Sequence, residues 1–479
     1  GMYAGKITLI GTEAGVGVRN AGVIGAAAGD VVVQGNGWLS NSGSIQAAGH
    51  AQINTSGAIS NSGTVYGSGN TGLTSQGSID TTGLIAALGH TSLQAGSYIN
   101  AGTGSVVAAG VNADGTLASG GDLSVMAADA ASLHGQTLAA GNASVSGTRV
   151  SLADGKVAAQ NFNLTARGGD VDASRASVGI QGTFNANAAQ TLRTDGASVS
   201  AGQLTFSARD ASNVGGEIVQ TGNGDTALRL AGDLNNSAGR IATNSRNLAL
   251  AARTLTNTDG RIEHAGTGTL AIQAGTLNDQ RGQITSNGAL LLAAGSVNHD
   301  GASTLAQQVA IAAIDLSNHG GEITQTGTQA ARISVTGTLD NTGGTIASNG
   351  DTMLSAQSLL NRGGSVQATG AAHLEVTTIA ALDNSAGGHI AAGGNVSLHA
   401  ASLNNSHGQI TAGGSLGASA DAAIGNVQGL VAANGAVNLA ATSLNNTQGT
   451  VASVQNNLSV ATGGATVNSS GMLQAAQDV

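Results

Sequence analysis

From Leu234 onward, apolar and polar positions recur together about every 21 residues, in a phrase that opens on an aliphatic residue, usually sets Asn two places later, then glycine, and closes on Ile or Val. It reads LNNSAGRI at Leu234, LTNTDGRI at Leu255, LNDQRGQI at Leu277, LSNHGGEI at Leu316, LDNTGGTI at Leu339 and LLNRGGSV at Leu359. It returns as LDNSAGGHI at Leu382, LNNSHGQI at Leu403, IGNVQGLV at Ile424 and LNNTQGTV at Leu444. Shorter relatives run near the start, at Leu39, Ile59, Ile79 and Ile99. Between about residues 110 and 230 the phrase is worn, but VSLADGKV near Val150, VDASRASV at Val171 and LRTDGASV at Leu192 keep its spacing and apolar frame.

Within each unit the alternation is that of a strand. LALAA at Leu248 sets apolar against small residues with period two, and TLAIQA, ALLLAA, ARISVT, NVSLHA and AVNLAA hold the equivalent place in later units. None shows the i, i+3, i+4 spacing of a helix. A single unit offers a handful of aliphatic side chains to bury, too few to offset the ordering of its own backbone, so units have to be stacked on one another. The expected fold is all-β: a right-handed parallel β-helix of coils of about 20–21 residues, with three short strands per coil. About 23 such coils at ~4.8 Å would make one continuous rod on the order of 110 Å long. Residues 1–110 are expected to be its first coils, 111–230 divergent coils, and 231–479 the regular repeats.

The asparagine column is the sharpest local signal. Asn236, Asn257, Asn318, Asn341, Asn361, Asn384, Asn405, Asn426 and Asn446 all lie two places after the phrase-opening residue. Such a column is expected to be structural: asparagine tolerates the left-handed backbone of a sharp corner, and its amide can bond the next amide in a ladder. Gly239, Gly260, Gly282, Gly321 and Gly344 are expected to serve the same corner by accepting positive φ.

Composition sharpens this picture. With 76 glycines, no proline, no cysteine and 1% aromatic residues, the interior has to be narrow and filled by Leu, Ile, Val and Ala. At 41% hydrophobic and 9% charged, the chain is too apolar for a solvated coil. A net charge of −10 without any basic run argues against nucleic acid as a partner. No long uninterrupted apolar stretch suggests a membrane-spanning helix. The lack of cysteine and proline suits a chain exported unfolded, with no disulfides to reduce and no slow prolyl isomers. Gly1-Met2 reads as an internal cut.

Candidate chemistry is sparse. Some β-helices cleave polyuronides with grouped carboxylates and basic residues. The nearest approach to that pattern is Asp170 and Asp172, with Asp154, Lys156, Arg167 and Arg175 nearby, better explained as a solvated face. His299 with His319, and His50 with His90, are spaced near whole coils but lack companion ligands, so no metal is implied. Calcium is not implied either, because tandem GGxGxD units are missing. No catalytic residue, metal site or cofactor is expected. Arg240 and Arg261 share one rung position and would stack like charges at an exposed turn.

With the L-x-N-x-x-G-x-[IV] phrase in hand, the chain resembles the filamentous haemagglutinin family, including the large exoproteins of contact-dependent growth inhibition. The opening GMYAGKITLIGTEAGVGVRNAGVI resembles the segment that follows the amino-terminal secretion domain in these proteins. The resemblance implies two-partner secretion through an outer-membrane transporter that recognises a secretion domain lying outside these residues. It also implies a location outside the cell, at the bacterial surface. The expected role is a non-enzymatic stalk or adhesive filament presenting an adhesive or toxic tip to receptors on host or neighbouring bacterial cells. The alternatives are a shaft that itself binds host surfaces or glycans and, less favoured, a polysaccharide lyase.

Overall fold

The computed structural model describes residues 1–479 and contains strands and turns but no helix. It divides into two compact units, Gly1–Asn235 with Gly239–Asn244, and Asn236–Ala238 with Ser245–Val479. Each is a parallel β-solenoid, and together they comprise about 23 coils of ~21 residues.

In the first unit the three sides of a coil are easily followed. Val31–Gly35 pairs in parallel with Ala51–Thr55, and that strand with Thr71–Ser75. Leu39–Asn41 pairs with Ile59–Asn61 and then Ile79–Thr81, and Ser44–Ala47 with Thr64–Gly67 and then Leu84–Ala87. Each residue faces its equivalent one coil on, such as Ile45, Val65 and Ile85, all fully buried. The period-two alternation therefore becomes an inner column of aliphatics and an outer column of polar or small residues. The worn middle keeps the same register, and Phe162 stacks on Phe184 with ring centroids 5.2 Å apart.

Residues 111–121 leave this scheme. Thr91–Ala95 pairs with Leu123–Ala127, and the extra residues between these strands form a small loop closed by an antiparallel bridge from Val111 to Leu117. The Tyr66 hydroxyl donates to Val111 O at 3.2 Å, and Tyr66, Ala86, Ala108 and Val111 form a satellite apolar cluster beneath the loop. An insertion is tolerated here because the next strand re-enters the stack in register.

The second unit repeats the three-sided coil from Ala331 on, where Ala331–Val335, Thr338–Asp340 and Thr345–Ser348 each pair with the coil that follows. Three separate short strands are not universal, however. Gln283–Asn298 and Ser303–Ser317 each run around two corners as one strand, with a register shift between Ser286 and Ala289. Small residues let the backbone bend there without a formal turn: a β-carbon on Gly288 would sit 1.9 Å from Gly268 O.

Candidate functional site

Every asparagine of the repeated column is inside. Asn236, Asn257, Asn318, Asn341, Asn361, Asn384, Asn405, Asn426 and Asn446 are all 0% exposed. Their amides form a ladder. Asn318 Nδ2 donates to Asn341 Oδ1 at 2.7 Å, Asn341 to Asn361 at 2.7 Å and Asn361 to Asn384 at 2.7 Å. The same bond continues through Asn405, Asn426 and Asn446 to Asn468, a rung set in the looser phrase VNSSGML. Each amide also ties its own coil to the next through backbone carbonyls: Asn341 Nδ2 lies 3.2 Å from Gly344 O in its own coil and 3.1 Å from Ser365 O in the following one. The first unit carries a shorter version, Asn20 to Asn41 to Asn61 to the Thr81 hydroxyl.

Two parts of the expected corner mechanics need correction. The asparagines do not take the left-handed conformation; positive φ falls later in the turn, 53° at Ala238, 54° at Asp259 and Arg281, 60° at Gly320 and 63° at Gly343. Gly344 N donates to Asn341 O at 3.0 Å, so the four residues make a turn with positive φ at its third position, the signature of type II. Nor are Gly239, Gly260, Gly282, Gly321 and Gly344 the positive-φ residues; each follows one. Crowding explains glycine in the latter four: a β-carbon on Gly344 would lie 2.1 Å from Asn318 O, on Gly260 2.2 Å from Asn236 O, and on Gly282 and Gly321 2.1–2.5 Å from the nearest ladder atoms.

The ladder of the second unit has one irregular stretch. Asn236 donates to Asn257 at 2.7 Å and Asn257 to Asp279 Oδ1 at 2.6 Å. Asp279 Oδ2 then meets His299 Nδ1 at 2.9 Å, and His299 Nε2 lies 3.1 Å from Glu322 O. Asp279 is 0% and His299 3% exposed. Burial pushes the Asp279 carboxyl up, against the opposing pull of His299 and Asn257. Because His299 turns its second nitrogen to Glu322 O, Asn318 Oδ1 is buried with no donor. The phrases LNDQRGQI and VNHD place these two residues in the asparagine column, a substitution the spacing made visible. A raised, buried carboxyl can mark an active site, but both partners here are walled in by adjacent coils.

A second, outer ladder explains several of the histidines. In the first unit His50 N donates to Asp30 Oδ1 at 2.8 Å, Asn70 N to His50 Nδ1 at 2.8 Å, and His90 N to Asn70 Oδ1 at 2.9 Å. Asp122 N then donates to His90 Nδ1 at 3.1 Å and Asn142 N to Asp122 Oδ1 at 2.8 Å. The His50 amide holds the Asp30 carboxyl below its usual range. In the second unit the chain Asp351, His373, Asn395, Ser415 repeats the pattern at 2.8–2.9 Å. A β-carbon on Gly69 would sit 2.7 Å from His50 Nδ1, and one on Gly394 2.5 Å from His373 Nδ1, so a glycine before the accepting position leaves room for the side chain below. His50 and His90 thus lie two coils apart with Asn70 between them and Nδ1 committed to an amide, while His319 sits exposed at a turn, away from the buried His299 ring. Replacing His373 by Asn, which can accept the same amide, should leave thermal unfolding unchanged. Replacement by Ala should cost up to about 1 kcal/mol, read as a lower midpoint.

The carboxylates of the worn middle are spent on structure. Arg175 clamps Asp154 through two bonds of 2.7 and 2.8 Å, which holds that carboxyl below its usual range. Asp172 Oδ1 accepts Ser174 N and Oγ at 2.9 and 2.6 Å, Asp170 Oδ1 accepts Thr191 N at 2.9 Å, and Arg167 reaches Ala127 O at 2.7 Å. Arg240 meets Glu217 of the preceding coil in an ion pair.

Comparison with known proteins adds relatives to this geometry. The haemagglutinin repeat family matches residues 2–63, 60–110, 332–381, 371–441 and 426–479. A protein named "Toxin CdiA" from Yersinia pestis is 30% identical over 410 residues, which is 75% of this chain and 12% of that protein. A protein named "tRNA nuclease CdiA-2" from Burkholderia pseudomallei (strain 1026b) is 53% identical over 203 residues, 42% of this chain and 6% of that protein. The chain therefore spans only a small part of the length of either relative. No solved structure matches it.

Proposed function

Because the chain belongs to the haemagglutinin repeat family of large exoproteins, we propose that it is a non-enzymatic shaft, exported by two-partner secretion and displayed at the bacterial surface. Its partners in this reading are an outer-membrane transporter during export and receptors on host or neighbouring bacterial cells afterwards, the latter engaged by an adhesive or toxic tip. The relative named as a tRNA nuclease is matched over only 6% of its length, and in this reading the nuclease lies elsewhere in that protein. The observation that carries the reading is how the polar side chains are used. Amides, carboxylates and histidines that could do chemistry are repeatedly joined to the coil above or below, from the Asn318–Asn468 ladder to the Asp154–Arg175 clamp. Such a surface holds distance and shape rather than a reacting molecule.

The test uses the 479-residue chain itself, applied to cultured host cells, bacterial cells and a glycan array, and separately to polyuronides followed by absorbance of unsaturated products. A shaft gives neither saturable binding nor product release. Saturable binding by the chain alone would transfer the adhesive role to the shaft, and unsaturated sugars would make it a lyase.

A further inference from the structure

One face of the second unit is laid out as its own complement. The five-residue strands from Thr269 to Ala441 stack in register, and each sends two side chains outward, so the face is two columns wide. Over nine rungs centred on Thr352–Ala356, only two outward residues carry a full charge. They are Arg332, one rung before Met353, and Glu375, one rung after it, in the same column. Arg332 rests against the Met353 sulfur at 3.4 Å, and neither charge has an ion-pair partner within the chain.

We propose that this face docks on a second copy of the chain, antiparallel, about a two-fold axis lying along the Thr352–Ala356 strand. That operation places each rung before Met353 opposite the equivalent rung after it, in the same column. Arg332 then faces Glu375 of the second copy, and the same ion pair forms again on the other side of the axis, as an isologous contact requires. Side-chain size follows the same symmetry. Leu291, 48% exposed three rungs before the centre, falls opposite Gly417, three rungs after it. In the second column His399 falls opposite Ala312, and Gln273, four rungs out, opposite Ala440. The remaining facing positions are filled by small or medium residues, so no two bulky groups collide except the flexible Met353 pair on the axis itself.

The extent is adequate. Nine rungs at ~4.8 Å, each about five residues wide at ~3.3 Å, cover roughly 700 Å² on each copy. A stable interface of standard size buries ~800 Å² per partner. A parallel arrangement about an axis along the stack would instead set Arg332 against Ser334 and leave both charges unpaired.

Sedimentation velocity on the 479-residue chain, from ~1 to ~50 μM, reads the association directly. The parent chain is expected to form a reversible dimer. Arg332→Glu or Glu375→Arg alone puts like charges together twice per dimer and raises the dissociation constant about tenfold or more. The double variant Arg332→Glu/Glu375→Arg restores it to within about threefold of the parent. Both substitutions are at exposed positions, and unchanged protease resistance verifies the fold. A parent chain that stays monomeric at ~50 μM overturns the proposal. So does a double variant that dissociates as readily as either single reversal.

Discussion

Leucine in place of Asn341 is expected to open the second unit locally while the rest of the stack stays closed. The substitution removes an amide that donates to Asn361 Oδ1, Gly344 O and Ser365 O and accepts from Asn318 Nδ2, all at a fully buried position. Leucine fills the space but satisfies none of these groups, and each buried polar group left unpaired costs about 1–3 kcal/mol, so a loss on the order of 3–5 kcal/mol is expected. In a solenoid that loss is local, because each coil depends on its neighbours and not on the whole. New protease cuts and faster amide exchange are expected between about residues 338 and 366, with no change in distant coils. Asn384→Leu should move the same signature to its own coil. A companion change, Gly364→Ala, drives a β-carbon to 2.0 Å from Asn341 O and should loosen the same coil by steric force alone. If Asn341→Leu leaves nicking and exchange unaltered, the ladder is not what closes the corner.

The Asp279–His299 step should respond to pH in a way the asparagine rungs do not. With Asp279 ionised and His299 neutral, one of two contacts, Oδ2 to Nδ1 or Nε2 to Glu322 O, would set acceptor against acceptor. A proton on Asp279 Oδ2 resolves the conflict, because the carboxyl then donates to Nδ1 and the imidazole gives its single hydrogen to Glu322 O. Burial raises the folded carboxyl above its unfolded value, near 3.9 for an aspartate. The folded form therefore binds this proton more tightly, so the stability it brings is complete below the unfolded value and is lost as pH rises through the folded one. Asp279→Asn supplies the hydrogen permanently: its amide accepts from Asn257 Nδ2 and donates to His299 Nδ1, freeing the imidazole to give its single proton to Glu322 O. The variant should match the parent in acid and exceed it by about 1–3 kcal/mol in alkaline buffer. Amide exchange at residues 298–303, compared at pH 5 and pH 9 after correction for intrinsic rates, reads the difference. A variant that weakens this coil equally at both pH values would show that the carboxylate itself is required.

The coil was legible in the sequence because its requirements are periodic. Leu339, Leu359 and Leu382 face one another in the interior only if units of about 21 residues stack in parallel, and the alternating LALAA-type segments orient the rest. The asparagine column was equally plain, since the position recurs where glycine spacing wavers. Mechanics that depend on space were hidden. Nothing in the letters LDNTGGTI says that positive φ belongs to Gly343 while Gly344 is wanted for its missing β-carbon; that follows from the carbonyl of Asn318 one coil below. The outer ladder was missed for a similar reason. Its rungs change identity from Asp30 to His50 to Asn70, and only the shared ability to accept a backbone amide connects them. The loop at residues 111–121 broke the period, which made that stretch look worn when it is inserted.

The inner ladder also has a sense of direction. Each amide in the Asn318–Asn468 run hands its hydrogen toward the higher-numbered coil, as do those from Asn20 to Thr81, so the local dipoles line up and reinforce one another. Severing such a column anywhere leaves unlike stumps, one showing a bare NH2 and the other a bare oxygen. Fragments of this wall can be rejoined only tail to head, and two identical stumps meet as poles of the same sign.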